Sequence, residues 1–264
     1  MVSRPRIMGV VNVTPDSFSD GGVYFETGAA VRHGEELARD GAAILDVGGE
    51  STRPGAEPVG EAEEMERVVP VIEGLAGGEA EISVDTSKAA VAAAALDAGA
   101  SIVNDVSALR GDPEMAALCA ERGATVVLMH MLGTPRTMQR DPRYDDVVEA
   151  VRAFLAERIE AALDAGVAEE RIWIDPGIGF GKTAAHNFEL LRRLSELREL
   201  GRPIVVGTSR KSFIGAADGS AASERLGGTI ASSVLAGAEG ADVLRVHDVA
   251  EVAQALTVAS AVLG

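Results

Sequence analysis

Two aspartates, Asp85 and Asp175, and two asparagines, Asn12 and Asn104, each stand directly after a short apolar run. Carboxylates and carboxamides present paired acceptors and donors, so four of them on one surface would suit a flat, nitrogen-rich heterocycle. An acid in such a place can also simply cap the next helix, and Thr86-Ser87-Lys88 behind Asp85 keeps that reading open. Asp175 precedes Pro176-Gly177, where capping explains it less well, and Asn104 could bond its own backbone in a loop. Cations form a second group. Ser209-Arg210-Lys211-Ser212 and Arg245-Val246-His247 follow the last two apolar runs. In a barrel, the exits of the seventh and eighth strands are the habitual phosphate site.

Two other patterns fall short of known motifs. GIGFGKT (177–183) looks like a P-loop, but Pro176 stands where that loop needs its first glycine. It also lacks the G-x-G-x-x-G spacing of a dinucleotide fold. Histidines 33, 130, 186 and 247 have no metal-ligand spacing, so no zinc site is expected. His33, within a polar helical pattern, is expected at the surface.

These residues need elements to bring them together. Apolar runs cover 7–11, 44–47, 82–84, 102–103, 126–129, 172–174, 204–206 and 243–244, and each ends in a polar cluster. Eight runs in 264 residues, 264/8 = 33, is the length of a strand–helix unit. Strands apolar throughout are usually buried on both faces, as parallel strands are. Polar exits after all eight favour a closed ring, a single (β/α)8 TIM barrel over 1–264, whose active site gathers at the C-terminal ends of its strands. A doubly wound open sheet is the alternative, but it would collect its ligand at one switch point only.

Between the runs lie helical patterns. The clearest is 145–165, with Val148, Val151, Leu155, Ile159, Ala162 and Leu163 at helical spacing. The stretch 186–200 repeats it with Phe188, Leu191, Leu194 and Leu197, and alanine dominates 89–98 and 221–238. Glycines 41, 99, 123, 166, 201 and 240 fall where a helix C-cap needs a left-handed residue. Pro70 should kink or shorten the second helix. Two strand-to-helix loops, 13–26 and 48–60, are long and rich in Gly, Pro, Ser, Thr and Asp, and loops of this size are usually functional or disordered, and often lids.

Composition narrows the partners. Lys+Arg total 24 against 41 Asp+Glu, a net charge of −17, which excludes nucleic acid or an anionic membrane held by bulk charge. The acidity reads as solvated helix faces such as EAEEME (61–66) and leaves room for a local basic pocket. The single cysteine, Cys119, allows no disulfide framework and sits in a helical pattern (113–122) as a buried small hydrophobe. Residues 1–6 lead straight into the first run, and no apolar stretch approaches the ~20 residues of a membrane span, so a soluble cytoplasmic protein is expected.

Longer segments carry a resemblance. MGVVNVTPDSFSDGG (8–22), DVGGESTRPGAEPV (46–59), ISVDTSK (82–88), IVNDV (102–106), VVLMHMLGTPRTMQ (126–139), IDPGIGFGKTAAHN (174–187), VGTSRKSFIG (206–215) and VLRVHDV (243–249) resemble the dihydropteroate synthases, in order and over essentially the whole chain. The resemblance implies a folate-pathway transferase and sulfonamide target. It would condense p-aminobenzoate with 6-hydroxymethyl-7,8-dihydropterin pyrophosphate, giving 7,8-dihydropteroate and pyrophosphate, as a homodimer with Mg²⁺. Carried over by motif, Asp85, Asn104, Met129, Asp175, Phe180, Gly207 and Lys211 hold the pterin. Asn12, Thr52, Arg53, Arg245 and His247 take the pyrophosphate side, with Asn12 at the Mg²⁺ site. Phe18, Thr52, Pro54, Lys211 and Ser212 enclose p-aminobenzoate. Asp85, Asp175, Lys211, Arg245 and His247 form the catalytic set. The bottom-up chemistry agrees, since a carboxylate accepts two hydrogen bonds from an amino-pyrimidine edge and Mg²⁺ binds through few protein oxygens plus substrate phosphates. A pterin-dependent methyltransferase would not need PDSFSDGG, ESTRPG or SRKSF, and a non-catalytic pterin-binding scaffold would be expected to lose Asp16, Phe18 or Arg53, which are present.

Overall fold

The computed structural model describes residues 4–13, 23–51, 57–134 and 136–263, with the side chains of 23–26 left aside. Eight parallel strands alternate with helices along the chain: β1 (Arg6–Asn12), α1 (Val23–Arg39), β2 (Ile44–Gly48), α2 (Glu61–Leu75), β3 (Glu81–Asp85), α3 (Ala89–Asp97), β4 (Ile102–Asp105) and α4 (Met115–Arg122). There follow β5 (Thr125–Met129), α5 (Val147–Asp164), β6 (Ile172–Asp175), α6 (Ala184–Arg192), β7 (Val205–Val206), α7 (Ser212–Asp218), α8 (Leu226–Ala238), β8 (Val243–Val246) and α9 (Val249–Leu263). Each strand pairs with its sequence neighbour, and β1 pairs with β8. A parallel bridge from Ile174 to Ile204, with the Ile174 amide donating to Pro203 at 2.9 Å, joins β6 to β7 and completes the ring. The chain is a (β/α)8 TIM barrel.

Alternation along each strand decides what this ring can do. One face packs outward on the helices in the main apolar core, as Val11, Leu45, Val84, Val103, Val126, Ile174, Val206 and Leu244 do. On the inward face Met8, Ile44, Ile102, Val127, Val205 and Val243 cluster with Trp173 into an apolar plug. Two residues further along the same inward faces stand Asp46, Asn104, Met129, Asp175 and Arg245. The interior is therefore dry at the N-terminal end and polar at the exits.

The six expected C-cap glycines all have positive φ, and Gly123 and Gly201 are left-handed caps of the preceding helical turns. α5 begins on Asp146, whose side chain accepts from the Val148 and Glu149 amides, and it buries Val148, Val151, Leu155, Ile159 and Ala162 as its spacing requires. Cys119 is buried, and that burial pushes its thiol up to about 12, so it is an inert core residue.

Four expectations need correction. α2 runs on past Pro70 to Leu75, so the proline does not end it. The helix expected over 186–200 breaks at Arg193 (φ −113°, ψ 23°) into a 3₁₀ turn; Leu190 takes the buried place while Phe188 lies at the surface, edge-on to Phe213. Glu64 is not part of a solvated face: it lies one turn before Val68 on the buried side of α2, paired with Lys88. His33 is half-buried. Of the two long loops, 14–22 and 52–56 lie outside the described residues, and helix already begins at Val23.

Candidate active site at the barrel mouth

Register brings the polar exits together. Gly48 pairs with Asp85, and Asp85 with Asn104. Met129 pairs with Asp175, and Met8 with Arg245. A Cβ at Gly48 would stand 3.4 Å from the Asp85 Cβ, so the glycine leaves room beside that carboxylate. Asp85 does not cap a helix: the first amide of α3, at Ala89, is bonded by Asp112 at 2.9 Å. Its Oδ2 instead accepts from Arg245 Nη2 at 2.8 Å. Asn104 is in a strand and donates its Nδ2 to Asp46 Oδ2 at 3.1 Å, so the loop reading of it falls as well. The same Asp46 oxygen accepts from Arg245 Nε at 2.6 Å.

One guanidinium thus bridges two buried carboxylates. Burial works against its charge, but Asp46 and Asp85 outweigh burial and hold Arg245 firmly protonated. Asp85 is pushed up to about 7, first by burial, with Arg245 pulling down and Asp46, Glu64 and Asp105 adding to the rise. Asp175 is also raised, by burial, against Lys211 and its own turn. Its Oδ1 accepts from the Gly177 amide at 2.6 Å.

Lys211 closes one wall. It follows a turn in which Arg210 adopts φ +58°, a strained value for a residue with a side chain. That turn is over-determined: Arg210 pairs with Asp248, its amide donates to Thr229 Oγ1 at 3.0 Å, and its carbonyl accepts from Arg225 at 3.0 Å. Arg210 is therefore held as a fastener of this turn. The Lys211 ammonium lies 4.8 Å from the centre of the Phe180 ring and donates to the Ile178 carbonyl. Burial lowers its pKa to about 8. Gly207 borders it, since a Cβ there would lie 3.6 Å from Lys211 Nζ and 3.7 Å from Arg245 Cβ. Met129, Met131 and Met138 pack with Phe180 as an apolar lining. His247 Nδ1 lies 2.9 Å from Ser209 Oγ, which brings together the exits of β7 and β8.

Asn12, Asp85, Asn104, Met129, Asp175, Phe180, Gly207, Lys211, Ser212, Arg245 and His247 all lie at the strand exits or just beyond them. Phe18, Thr52, Arg53 and Pro54 fall outside the described residues. Sequence reasoning missed Asp46, hidden inside a run counted as apolar, although an acid within a buried strand is itself a signal. It also missed Lys182, whose ammonium is buried between His130 Nδ1 at 2.8 Å and the Phe180 carbonyl at 3.0 Å. Burial lowers Lys182 to about 7 and His130 to about 3. Together they fasten the 176–183 turn to the exit of β5, where Gly177 (φ +67°) passes so close to the His130 carbonyl that no Cβ would fit. A third missed cluster, Lys88 with Glu50 and Glu64, anchors the start of the second loop, beside Arg67 donating to the Gly49 carbonyl at 2.7 Å.

Known proteins share this architecture. Residues 8–247 match the pterin binding enzyme family. The chain is 48% identical to the dihydropteroate synthase of Escherichia coli K12, over 99% of this chain and 93% of that one. A Xanthomonas albilineans dihydropteroate synthase solved with 4-aminobenzoic acid superposes with a TM-score of 0.94 at 51% identity, covering 100% of this chain and 94% of that one. The same organism's enzyme solved with 7,8-dihydropteroate gives a TM-score of 0.89 at 48% identity, covering 100% and 95%.

Proposed function

The chain belongs to the pterin-binding enzymes, among the dihydropteroate synthases, and from that premise we propose how its residues divide the work. The reaction is a transfer in folate biosynthesis that joins p-aminobenzoate to the dihydropterin methylene and releases pyrophosphate. The observation that carries the assignment of residues is the polar layer above the apolar plug: three carboxylates, a carboxamide and two cations within one ring of strand ends.

Asp85, Asn104 and Asp175 hold the pterin by hydrogen bonds to its donors, with Lys211 over Phe180 at the ring's edge and Met129 and Gly207 lining the slot. Arg245 and His247 receive the pyrophosphate, and Ser212 faces p-aminobenzoate together with Phe18, Thr52 and Pro54; Arg53 serves the pyrophosphate side. Asn12 fits a Mg²⁺ ligand, since its carboxamide ends β1, is half-buried and has no hydrogen-bond partner among the described residues. When bound, the ion would balance charge on the departing pyrophosphate.

Two titrations bracket activity. Asp85 offers two charged acceptor oxygens only when ionised, above about 7, since protonation turns one of them into a donor, and Lys211 is cationic only below about 8. The pH profile of kcat/KM for the pterin substrate should therefore be a narrow bell, falling on the acid side through Asp85 and on the alkaline side through Lys211. Lys211→Arg should remove the alkaline limb. A profile flat between pH 6 and 9 would contradict these assignments.

Leaving-group departure should run ahead of amine attack. An anilinic amine is a poor nucleophile, the pterin nitrogens spread charge arising at the methylene, and Asp85 and Asp175 favour a cationic ring while Arg245 and His247 take up the pyrophosphate charge. A secondary deuterium isotope effect at the methylene should be clearly normal; a value near unity would mean concerted displacement.

A homodimer through the late helices completes the proposal. Leu226 and Leu235 on α8, with Val258, Val262 and Leu263 on α9, remain exposed, and the two helices pack side by side. Light scattering at micromolar concentration should give twice the 27.2 kDa chain mass, and an active monomer would refute it.

A further inference from the structure

We propose that Asp46 is the positioning residue of the pterin floor, holding Arg245 and Asn104 in the orientation in which they meet the substrate. Asp46 lies in the middle of β2 and is wholly buried. Its Oδ2 accepts from Arg245 Nε at 2.6 Å and from Asn104 Nδ2 at 3.1 Å. No other described carboxylate touches two residues assigned to substrate.

Each of these bonds decides something the residue could not decide alone. A carboxamide can sit either way round, presenting an acceptor or a donor. With its NH2 end committed to Asp46, Asn104 keeps its oxygen for a donor on the ligand. A guanidinium likewise swings on a long stem. Bound at Nε by Asp46 and at Nη2 by Asp85, 2.8 Å away, Arg245 is fixed in plane and direction before substrate arrives. Removing Asp46 would free both groups and leave one carboxylate, Asp85, to hold the cation.

Asp46 is also an unusual residue to keep for folding alone. Its second oxygen, Oδ1, is buried without a hydrogen-bond partner among the described residues. A group serving stability would be satisfied, and a buried acceptor left bare costs free energy. The negative charge has a further consequence, because it adds to the rise of Asp85, alongside Glu64 and Asp105 and against Arg245. Asp46 thus bears on both geometry and protonation in the layer that meets the pterin.

The inference rests on the proposed site, so its test is run beside a variant of that site. Asp46→Asn keeps the shape and removes the charge. Its kcat/KM for the pterin pyrophosphate should fall about 10- to 100-fold, the range for partners that orient a ligating group. KM for p-aminobenzoate should change less than threefold, and the acid limb of the pH profile should move to lower pH, because a negative neighbour of Asp85 has gone. An unshifted limb, or a pterin kcat/KM within threefold of the parent, would overturn the role of Asp46. Arg245→Gln separates the two failures: if it too leaves kcat/KM for the pterin pyrophosphate unchanged, the site assignment has failed and not merely the role of Asp46. Should Asp46→Asn lose its cooperative melt, the parent enzyme answers by NMR. The Arg245 Nε–H resonance should be a single, slowly exchanging signal without ligand between pH 6 and 8, and a signal averaged with solvent would overturn the proposal.

Discussion

Replacing Arg245 with glutamine should damage the protein more than any other single change at the mouth, in stability as well as activity. The guanidinium stands between Asp46, wholly buried, and Asp85, 9% exposed. Taking it away leaves two carboxylates facing each other with no cation. Removing one partner of a buried ion pair typically costs about 3–5 kcal/mol. Asp85 limits the damage by taking up a proton, since Arg245 is the group that now pulls its pKa down. The melting temperature at pH 7 should fall by roughly 10 °C, and by less at pH 5, where Asp85 is neutral in both variants. Activity loses a donor that meets developing charge on the leaving group, a loss of about 10²–10³ in kcat. A melting point within 2 °C of the parent would mean that the bridge contributes nothing.

The second large effect is specific to binding. In Asp175→Asn, the Gly177 amide that donates to Oδ1 at 2.6 Å also fixes which end of the new carboxamide goes where. The asparagine oxygen stays on Gly177, and its NH2 turns to the side that the other carboxylate oxygen served. Pterin donors then meet a donor. Leaving buried partners unpaired costs about 2–4 kcal/mol, or roughly 30- to 700-fold in Kd, while the fold, held by β6 and the 176–183 turn, should melt as before. Calorimetry showing less than a fivefold change would remove Asp175 from pterin recognition.

The barrel was legible because its signals are local and repeated. Eight apolar runs with polar exits became eight strands, and the six glycines before them have the left-handed backbone expected. What escaped was long-range. Glu64 looks solvated beside Glu61, Glu63 and Glu66, and only the approach of Lys88 from the next strand's exit makes its burial tolerable. Phe188 has core spacing, but the buried side of α6 runs through Asn187, Leu190 and Leu191, and the break at Arg193 turns the residues after it into a 3₁₀ turn. Asp46 shows the limit most clearly. Its partners, Asn104 and Arg245, lie 58 and 199 residues away, so no window along the chain contains the constellation. The exits of β3, β4, β6 and β8 were legible as candidate positions because a polar side chain ending an apolar strand declares itself, and the barrel brings these ends to one mouth. The positions on the two long loops, Phe18 and Thr52 to Pro54, still rest on resemblance.

The most direct measurement follows both products from the purified chain given dihydropterin pyrophosphate, with and without p-aminobenzoate. Pyrophosphate and 7,8-dihydropteroate should appear in equal amounts only when both substrates are present, and the rate should collapse in Arg245→Gln. Pyrophosphate released at the same rate without the amine, or no dihydropteroate from the folded protein with both substrates, would contradict a synthase at this barrel mouth.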